Sequence, residues 1–232
     1  MALSAIFIAQ AKTLQWAGHD WSVRGTGFGG PGPNYWDEQN AWVDKDGRLH
    51  LRLAQKDSKW VGAEVLTTKR LGFGRYEFEV QTRLDSLDRN VVLGIFNYPT
   101  PDVGSDGTHE IDIEFARWGG SSTPPGNFTV WPVQAALKQT THPFAFDAKQ
   151  PTTTHVFDWG TNRIEFAAYD GRISSGRPAL ASWTYAPTDP AQRISQRPMP
   201  LHLNLWCFSG KPPADGQDVE VVFSSFRFEP KP

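Results

Sequence analysis

Hydrophobic and polar residues alternate along much of this chain, in short runs separated by turn residues such as Asp46-Gly47 and Asp170-Gly171. A two-residue period places alternate side chains on opposite faces of a strand. The runs cover residues 48–53, 76–82, 91–97, 109–115, 127–131, 155–159, 164–169, 201–208 and 219–228. No stretch sustains the 3.6-residue apolar period of a capped helix. The pattern therefore predicts an all-β fold.

So many strand-length runs joined by short turns indicate two packed antiparallel sheets, as in a jelly roll or a similar sandwich. The chain has no internal repeat, and its Gly-, Pro- and Ser-rich segments are spread along its length. With 232 residues, it has the size of one large all-β domain. We therefore expect a single domain over residues 12–232, in which one concave face forms a substrate groove.

Composition excludes several classes of function. The 23 Lys and Arg residues and 25 Asp and Glu residues give a net charge of −2, so there is no basic surface to bind nucleic acid. No apolar run reaches the roughly 18 residues that a membrane helix needs. The single cysteine, Cys207, excludes an internal disulfide and a cysteine-based zinc site. Ten Trp, 15 Phe and 5 Tyr are compatible with strands and with a ligand that stacks on aromatic rings.

The first eleven residues read MALSAIFIAQA, a short apolar stretch with small residues at Ala9 and Ala11. This resembles the end of a secretion signal, although no basic segment precedes it. We interpret residues 1–11 as a signal remnant, with an edge strand of the mature fold as the alternative. A secreted or periplasmic location is expected on the first interpretation.

The segment 109–115 contains the most informative pattern. Strict alternation places the carboxylates Glu110, Asp112 and Glu114 on one strand face and the apolar Ile111, Ile113 and Phe115 on the other. Repulsion among three carboxylates favours retention of a proton, which raises one pKa towards the range of a general acid. Two Glu side chains at this spacing can bring their carboxyl groups to about 5–5.5 Å, the separation used by retaining glycosidases. The alternative is an acidic, half-exposed strand without catalytic function.

The run Glu110-Ile111-Asp112-Ile113-Glu114-Phe115 resembles the catalytic signature of glycoside hydrolase family 16, particularly its lichenase and xyloglucan transglycosylase branches. Further stretches similar to motifs of that family lie at residues 62–65 (GAEV), 72–77 (GFGRYE), 96–98 (FNY), 157–159 (FDW), 164–166 (IEF) and 203–206 (LNLW). The resemblance spans roughly residues 30–228 and implies a concanavalin-like jelly roll. It also implies that Glu110 is the nucleophile, Glu114 the acid/base, and Asp112 the residue that orients the nucleophile.

The same register suggests residues that line a sugar-binding groove. Trp118 would share the carboxylate face if no bulge intervenes at 116–117, and His202, Asn204 and Trp206 share one face of another strand. Aromatic faces suit the apolar C–H patches of pyranose rings. The predicted substrate contacts are Glu64, Phe96, Tyr98, Trp118, Trp131, Asn204 and Trp206. Core packing is the alternative for Trp118 and Trp131, and His109 is expected to be structural.

The chain departs from the lichenase pattern near the predicted site. Asn127, Thr129 and Trp131 stand where lichenases have Q-x-N-x-Y, and Leu66 replaces an arginine of the family. These changes leave the substrate open.

The function indicated is a retaining endo-β-glycosidase that hydrolyses a β-glucan-type polysaccharide, with mixed-linkage β-1,3-1,4-glucan as the best single substrate. A transglycosylase acting on a β-linked polysaccharide is one alternative, and a non-catalytic carbohydrate-binding module is another. The histidines show no metal-ligand spacing, so we expect no metal or cofactor, with a structural Ca²⁺ left open because some relatives have one. The expected partner is a polysaccharide or oligosaccharide, bound by a monomer.

Overall fold

The computed structural model describes residues 11–173 and 178–231. The strands within these ranges are β1 (Thr13–Trp16), β2 (His19–Val23), β3 (Gly27–Gly29), β4 (Asn34–Trp36), β5 (Ala41–Val43), β6 (Leu49–Lys56), β7 (Lys59–Thr67), β8 (Gly74–Val80), β9 (Val91–Asn97), β10 (Ile111–Ala116), β11 (Gly126–Val130), β12 (Thr140–Phe144), β13 (Thr153–Trp159), β14 (Ile164–Asp170), β15 (Ala181–Tyr185), β16 (Leu201–Cys207) and β17 (Val219–Pro230). Helical structure in the described ranges consists of one α-helical turn, α1 (Pro190–Arg193), and three 3₁₀ turns, Glu38–Asn40, Leu84–Ser86 and Phe208–Gly210.

The strands form two antiparallel sheets. One, the groove sheet, has the order β1-β2-β7-β16-β9-β10-β11-β12. The other, the back sheet, has the order β5-β6-β17-β8-β13-β14-β15. The β6–β7 hairpin connects the two sheets, and β4 pairs in parallel with β7. The predicted all-β jelly-roll sandwich is confirmed.

A large aromatic and aliphatic core fills the space between the sheets. On β8, Tyr76, Phe78 and Val80 are fully buried, and the Tyr76 ring stacks on Phe157 with centroids 4.3 Å apart. The apolar face of β10 joins this core, as the alternation in the sequence predicts. Burial of this face leaves the opposite face of β10 directed out of the sandwich.

The sequence runs correspond to strands β6, β8, β9, β10, β11, β13, β14, β16 and β17. The strands not predicted as such are β1–β5, β7, β12 and β15. Most of these have three to five residues, too few to establish a period. The long exception is β7, which is buried on both faces over residues 61–65 and therefore does not alternate.

Apart from Ala11, the segment interpreted as a signal remnant, residues 1–11, lies outside the described residues. Within residues 11–173 and 178–231, no helix has the length and apolar character required to cross a bilayer.

Candidate active site

Strand β10 lies near the middle of the groove sheet, between β9 and β11. Asp112 is paired with Phe96 on one side and Thr129 on the other, and Glu114 is paired in the same way with Gly94 and Asn127. Glu110 immediately precedes β10, and its carbonyl oxygen accepts a hydrogen bond from the backbone N–H of Trp131 at 2.9 Å. Pairing on both sides fixes the direction of the three carboxyl side chains.

A groove of about 920 Å³ covers this face of the sheet. Every residue that the sequence suggests for the site lines it: Glu64, Phe96, Tyr98, Glu110, Asp112, Glu114, Trp118, Trp131, Asn204 and Trp206. They come from five strands and the segments that adjoin them, spread over residues 64–206. The structure brings these side chains together, while their individual roles stay predictions.

Trp118 reaches the groove by a route that the alternation does not describe. Strand β10 ends at Ala116, and Trp118 has a left-handed backbone with φ of 51°. The register argument for Trp118 required the strand to continue past 116–117, and this condition is not met. The turn directs the ring against the edge of Phe208, with centroids 5.4 Å apart, and leaves it 36% exposed at the groove.

Burial raises the pKa of all three carboxyl groups. Loss of hydration is the largest cause at each site, and the charge of Glu114 adds to it at Glu110. The pKa of Glu110 rises to about 8 and that of Glu114 to about 7, while that of Asp112 lies well above its usual value. The three groups together therefore retain part of their protons at neutral pH and are not all ionised. Since the direction is shared, pKa alone does not distinguish nucleophile from acid.

Strand β11 supports the carboxyl groups with uncharged side chains. The indole Nε1 of Trp131 donates to Asp112 Oδ2 at 2.9 Å. The Thr129 hydroxyl donates to Asn127 Oδ1 at 3.0 Å, and the side chain of Asn127 hydrogen-bonds Glu114, which opposes the rise of its pKa. Asn127 and Thr129 appear in the sequence only as departures from a family pattern, and pairing with β10 is what reveals their contacts.

At another part of the groove, Glu64 is held by two side chains that are distant in sequence. Arg24 donates to Glu64 Oε2 at 2.8 Å, and Nδ1 of His202 lies 2.8 Å from Oε1. Burial acts to raise the pKa of Glu64, but the hydrogen bonds and charges of His202 and Arg24 outweigh it, and the pKa is lowered. The guanidinium of Arg24 also lies 4.0 Å from the ring centroid of Trp36. Nothing in the sequence around Arg24 signals this position.

Two further contacts shape the groove wall, and a third lies behind it. The Tyr98 hydroxyl donates to Asp106 at 2.8 Å, and Phe96 stacks with His202 at a centroid distance of 5.1 Å. His109 is buried, with Nδ1 3.0 Å from the Ser195 hydroxyl. This position agrees with the structural role expected for His109.

Within residues 11–173 and 178–231, no group of three or more His, Cys, Asp or Glu side chains is arranged to hold a metal ion.

No protein-family model and no curated protein sequence matches the chain. Among solved structures, the β-glucanase of Bacillus licheniformis is similar over 91% of this chain and 92% of its own, with 24% identity and a TM-score of 0.66. A Bacteroides ovatus glycoside hydrolase family 16 protein in complex with a G4G4G3G product matches 90% of this chain and 94% of its own, with 17% identity and a TM-score of 0.69. A Mycobacterium tuberculosis protein described as an immunostimulatory antigen and pseudo β-1,3-glucanase matches 91% of both chains, with 18% identity and a TM-score of 0.67. These likenesses establish the fold.

Proposed function

We propose that this protein belongs to glycoside hydrolase family 16 and is a retaining endo-β-glucanase. One observation carries the proposal: three carboxyl groups with raised pKa values lie on one strand face, at the floor of an open groove. Because solved structures with this fold include a pseudo-glucanase, activity must be argued from the residues themselves. The motif resemblance and the groove geometry both support β10 as the strand that presents the reacting groups.

The proposed reaction is a double displacement. Ionised Glu110 attacks the anomeric carbon while protonated Glu114 donates its proton to the leaving glycosidic oxygen. Glu114, now ionised, then removes a proton from water, which hydrolyses the glycosyl-enzyme bond and restores both groups. The two steps need one bare and one protonated carboxyl group, a state that the shared protons of the buried groups favour. Asp112 orients Glu110.

We propose mixed-linkage β-1,3-1,4-glucan as the substrate. The lichenase-like motifs and the oligosaccharide product bound by the Bacteroides ovatus protein support this choice. Aromatic side chains at Phe96, Tyr98 and Trp206 provide faces for pyranose rings. We further propose that residues 12–232 form one domain that acts as an exported monomer.

A non-catalytic binding module explains the groove less well. Buried carboxyl groups lose hydration, and a sugar-binding surface gains nothing from three of them on one face. Neutral hydrogen-bonding side chains would bind hydroxyl groups at a smaller cost in folding free energy. The carboxyl groups are therefore better explained by proton transfer and nucleophilic attack than by binding alone.

The first prediction concerns activity. Wild type should release reducing ends from barley mixed-linkage glucan, in a panel that also contains laminarin, xyloglucan, agar and chitin. Glu110→Gln and Glu114→Gln should each lose at least about 10³-fold in kcat/KM, since each removes a group that reacts. The matched control is Glu165→Gln, an exposed carboxylate on the back sheet, which should keep wild-type activity.

Azide separates the two roles in the same assay. In Glu110→Ala, azide can enter the vacated nucleophile position and give a glycosyl azide of inverted configuration. In Glu114→Ala, azide should attack the glycosyl-enzyme in place of water and give a product of retained configuration. Unimpaired cleavage by both Gln variants would refute the catalytic assignment. Products longer than the donor would favour the transglycosylase, and binding without cleavage would favour the module.

A further inference from the structure

The side chain of Asp112 makes one hydrogen bond and leaves one oxygen without any. Trp131 Nε1 donates to Oδ2 at 2.9 Å. Oδ1 is buried and has no hydrogen-bond partner within the described parts of the chain. A buried polar atom without a partner costs free energy, so its surroundings call for a donor or acceptor at that atom.

Glu110 is the neighbouring group that can meet this need. Its carboxyl lies close enough to Asp112 for a hydrogen bond if one of the two groups is protonated, because two ionised carboxylates offer only acceptors. Burial and the charges of Glu110 and Glu114 raise the pKa of Asp112 well above its usual value. The hydrogen bond between the two groups acts to lower the pKa of Glu110 and to raise that of Asp112. Both directions favour a proton on Asp112.

The indole of Trp131 favours one oxygen of Asp112 as the site of that proton. An indole N–H donates and cannot accept, so Oδ2 offers it a lone pair. The carbonyl oxygen of a neutral carboxyl group is a better acceptor than its hydroxyl oxygen, so this hydrogen bond favours the proton on the other oxygen. The proton of a neutral Asp112 is therefore favoured at Oδ1, the buried oxygen that otherwise has no partner.

We propose that Trp131 is a positioning residue that favours the proton of Asp112 at Oδ1, so that Asp112 donates a hydrogen bond to Glu110 and keeps Glu110 ionised. The inference rests on the proposed function, because it explains how Glu110 serves as the nucleophile. It also removes the ambiguity left by the raised pKa values of Glu110 and Glu114. The neutral donor Trp131, which directly follows β11, thus favours a proton on Asp112 and an ionised Glu110.

The other ionisable groups around Asp112 and Glu110 do not supply a free cation. Glu114 lies on β10, Tyr98 and Asp106 lie in the segment after β9, and His202 lies on β16. Glu64 lies on β7, with Arg24 beside it. Arg24 and His202 both contact Glu64. The facing side chains of β11 are the uncharged Asn127, Thr129 and Trp131. Ionised Glu110 therefore depends on neutral donors.

Trp131→Phe tests the proposal because it removes the N–H and keeps an aromatic ring for a sugar. We expect kcat to fall about 10- to 100-fold, because the hydrogen bond from Asp112 to the charged Glu110 is no longer held in place, with KM within about 3-fold. The acidic limb of the kcat/KM profile should move to higher pH, because Glu110 loses its fixed donor. The matched control, Trp183→Phe on β15, should leave both the rates and the profile unchanged.

Asp112→Asn provides a second test that does not alter Trp131. Its amide carbonyl can accept from Trp131 while its NH₂ donates to Glu110, so the amide imitates the protonated acid. Asp112→Asn should therefore stay within about 10-fold of wild type, whereas Asp112→Ala should lose far more. Equal losses in the two variants would contradict the proposal.

A measurement without substrate separates this inference from the proposed function. Carboxyl ¹³C NMR of wild type, assigned with Glu110→Gln and Asp112→Asn, should show that Glu110 ionises at lower pH than Asp112. In Trp131→Phe, the ionisation of Glu110 should move to higher pH, and in Trp183→Phe it should not. The result holds or fails even if no polysaccharide is cleaved. Ionisation of Asp112 before Glu110 in wild type, or identical titrations in wild type and Trp131→Phe, would overturn it.

Discussion

Glu110, Asp112 and Glu114 occupy an environment that charged side chains usually avoid. Asp112 is only 3% exposed, and Glu110 and Glu114 are partly buried in the groove. No lysine or arginine among the described groove-lining residues pairs with them, in contrast to Glu64, which Arg24 and His202 hold in its charged form. Buried carboxyl groups without cationic partners lower the stability of the fold, a cost that is typical of functional sites.

This cost should appear in the pH dependence of stability. The pKa of Glu114 is about 7 in the folded protein and about 4.5 when exposed, so the folded state binds more protons between these values. The free energy of unfolding therefore falls as pH rises from about 4.5 to 7. Glu114→Gln should remove part of this loss. The Tm of Glu114→Gln minus that of wild type should therefore increase by roughly 2–4 °C between pH 4.5 and 7, equivalent to about 1 kcal/mol in a domain of this size.

Glu165→Gln is the control for the stability measurement, since that carboxylate is exposed on the back sheet. Thermal unfolding of the three proteins across this pH range tests the prediction. A difference in Tm that is constant with pH, or that shrinks towards pH 7, would contradict it.

At the scale of single elements, β9 keeps the groove floor open between β10 and β16. Gly94 is paired with Glu114 on β10 and with Asn204 on β16. A Cβ at Gly94 would lie 2.6 Å from Asn204 Oδ1 and 3.2 Å from the Phe96 ring. Because Gly94 has no side chain, Glu114 on β10 and Asn204 on β16 can both extend into the groove on either side of it.

Gly94→Ala should therefore displace Asn204 and crowd Glu114. We expect kcat/KM to fall by about 10-fold or more, with a smaller effect on Tm, because the new methyl group points into the groove rather than into the core. Kinetics and thermal unfolding measure the two effects. Gly25→Ala is the matched control, since a Cβ there meets nothing within 4 Å. Equal activity in the two variants would show that Gly94 has no such role.

At the scale of the whole molecule, a net charge of −2 conceals an uneven distribution. The described groove lining carries the carboxyl groups of Glu64, Asp106, Glu110, Asp112 and Glu114, and Arg24 is its one arginine or lysine. Ionised Glu110 carries a negative charge that no arginine or lysine of the described groove lining pairs with, and this charge repels ligands of the same sign. The groove therefore suits an uncharged polysaccharide.

A carboxymethylated mixed-linkage glucan should be cleaved at least about 10-fold less efficiently than a hydroxyethylated glucan of equal substitution. The two polymers carry added groups of similar size, so the difference reports charge. Added salt should reduce the difference, because it screens the repulsion. Reducing-end release at low and high ionic strength measures both effects. Equal rates for the two polymers would remove the electrostatic argument.

The alternation of residues 109–115 determined, from sequence alone, that three carboxyl groups share one face and that the opposite face belongs to the core. A two-residue period requires no tertiary information, because it follows from the geometry of an extended chain. The motifs around Glu64, Phe96 and Asn204 likewise pointed to one groove before any strand order was known. Strands of three to five residues escaped prediction, since so short a pattern has no measurable period.

Only the tertiary structure decided which side chains meet across strands. Arg24 contacts Glu64 because β2 lies beside β7, and Trp131 contacts Asp112 because β11 pairs with β10. Trp118 reaches the groove through a left-handed turn that alternation cannot describe. The sequence thus determined the identity of the three carboxyl groups and the face they share. Strand pairing and burial decided their hydrogen bonds and pKa values, because both depend on neighbours that are distant along the chain.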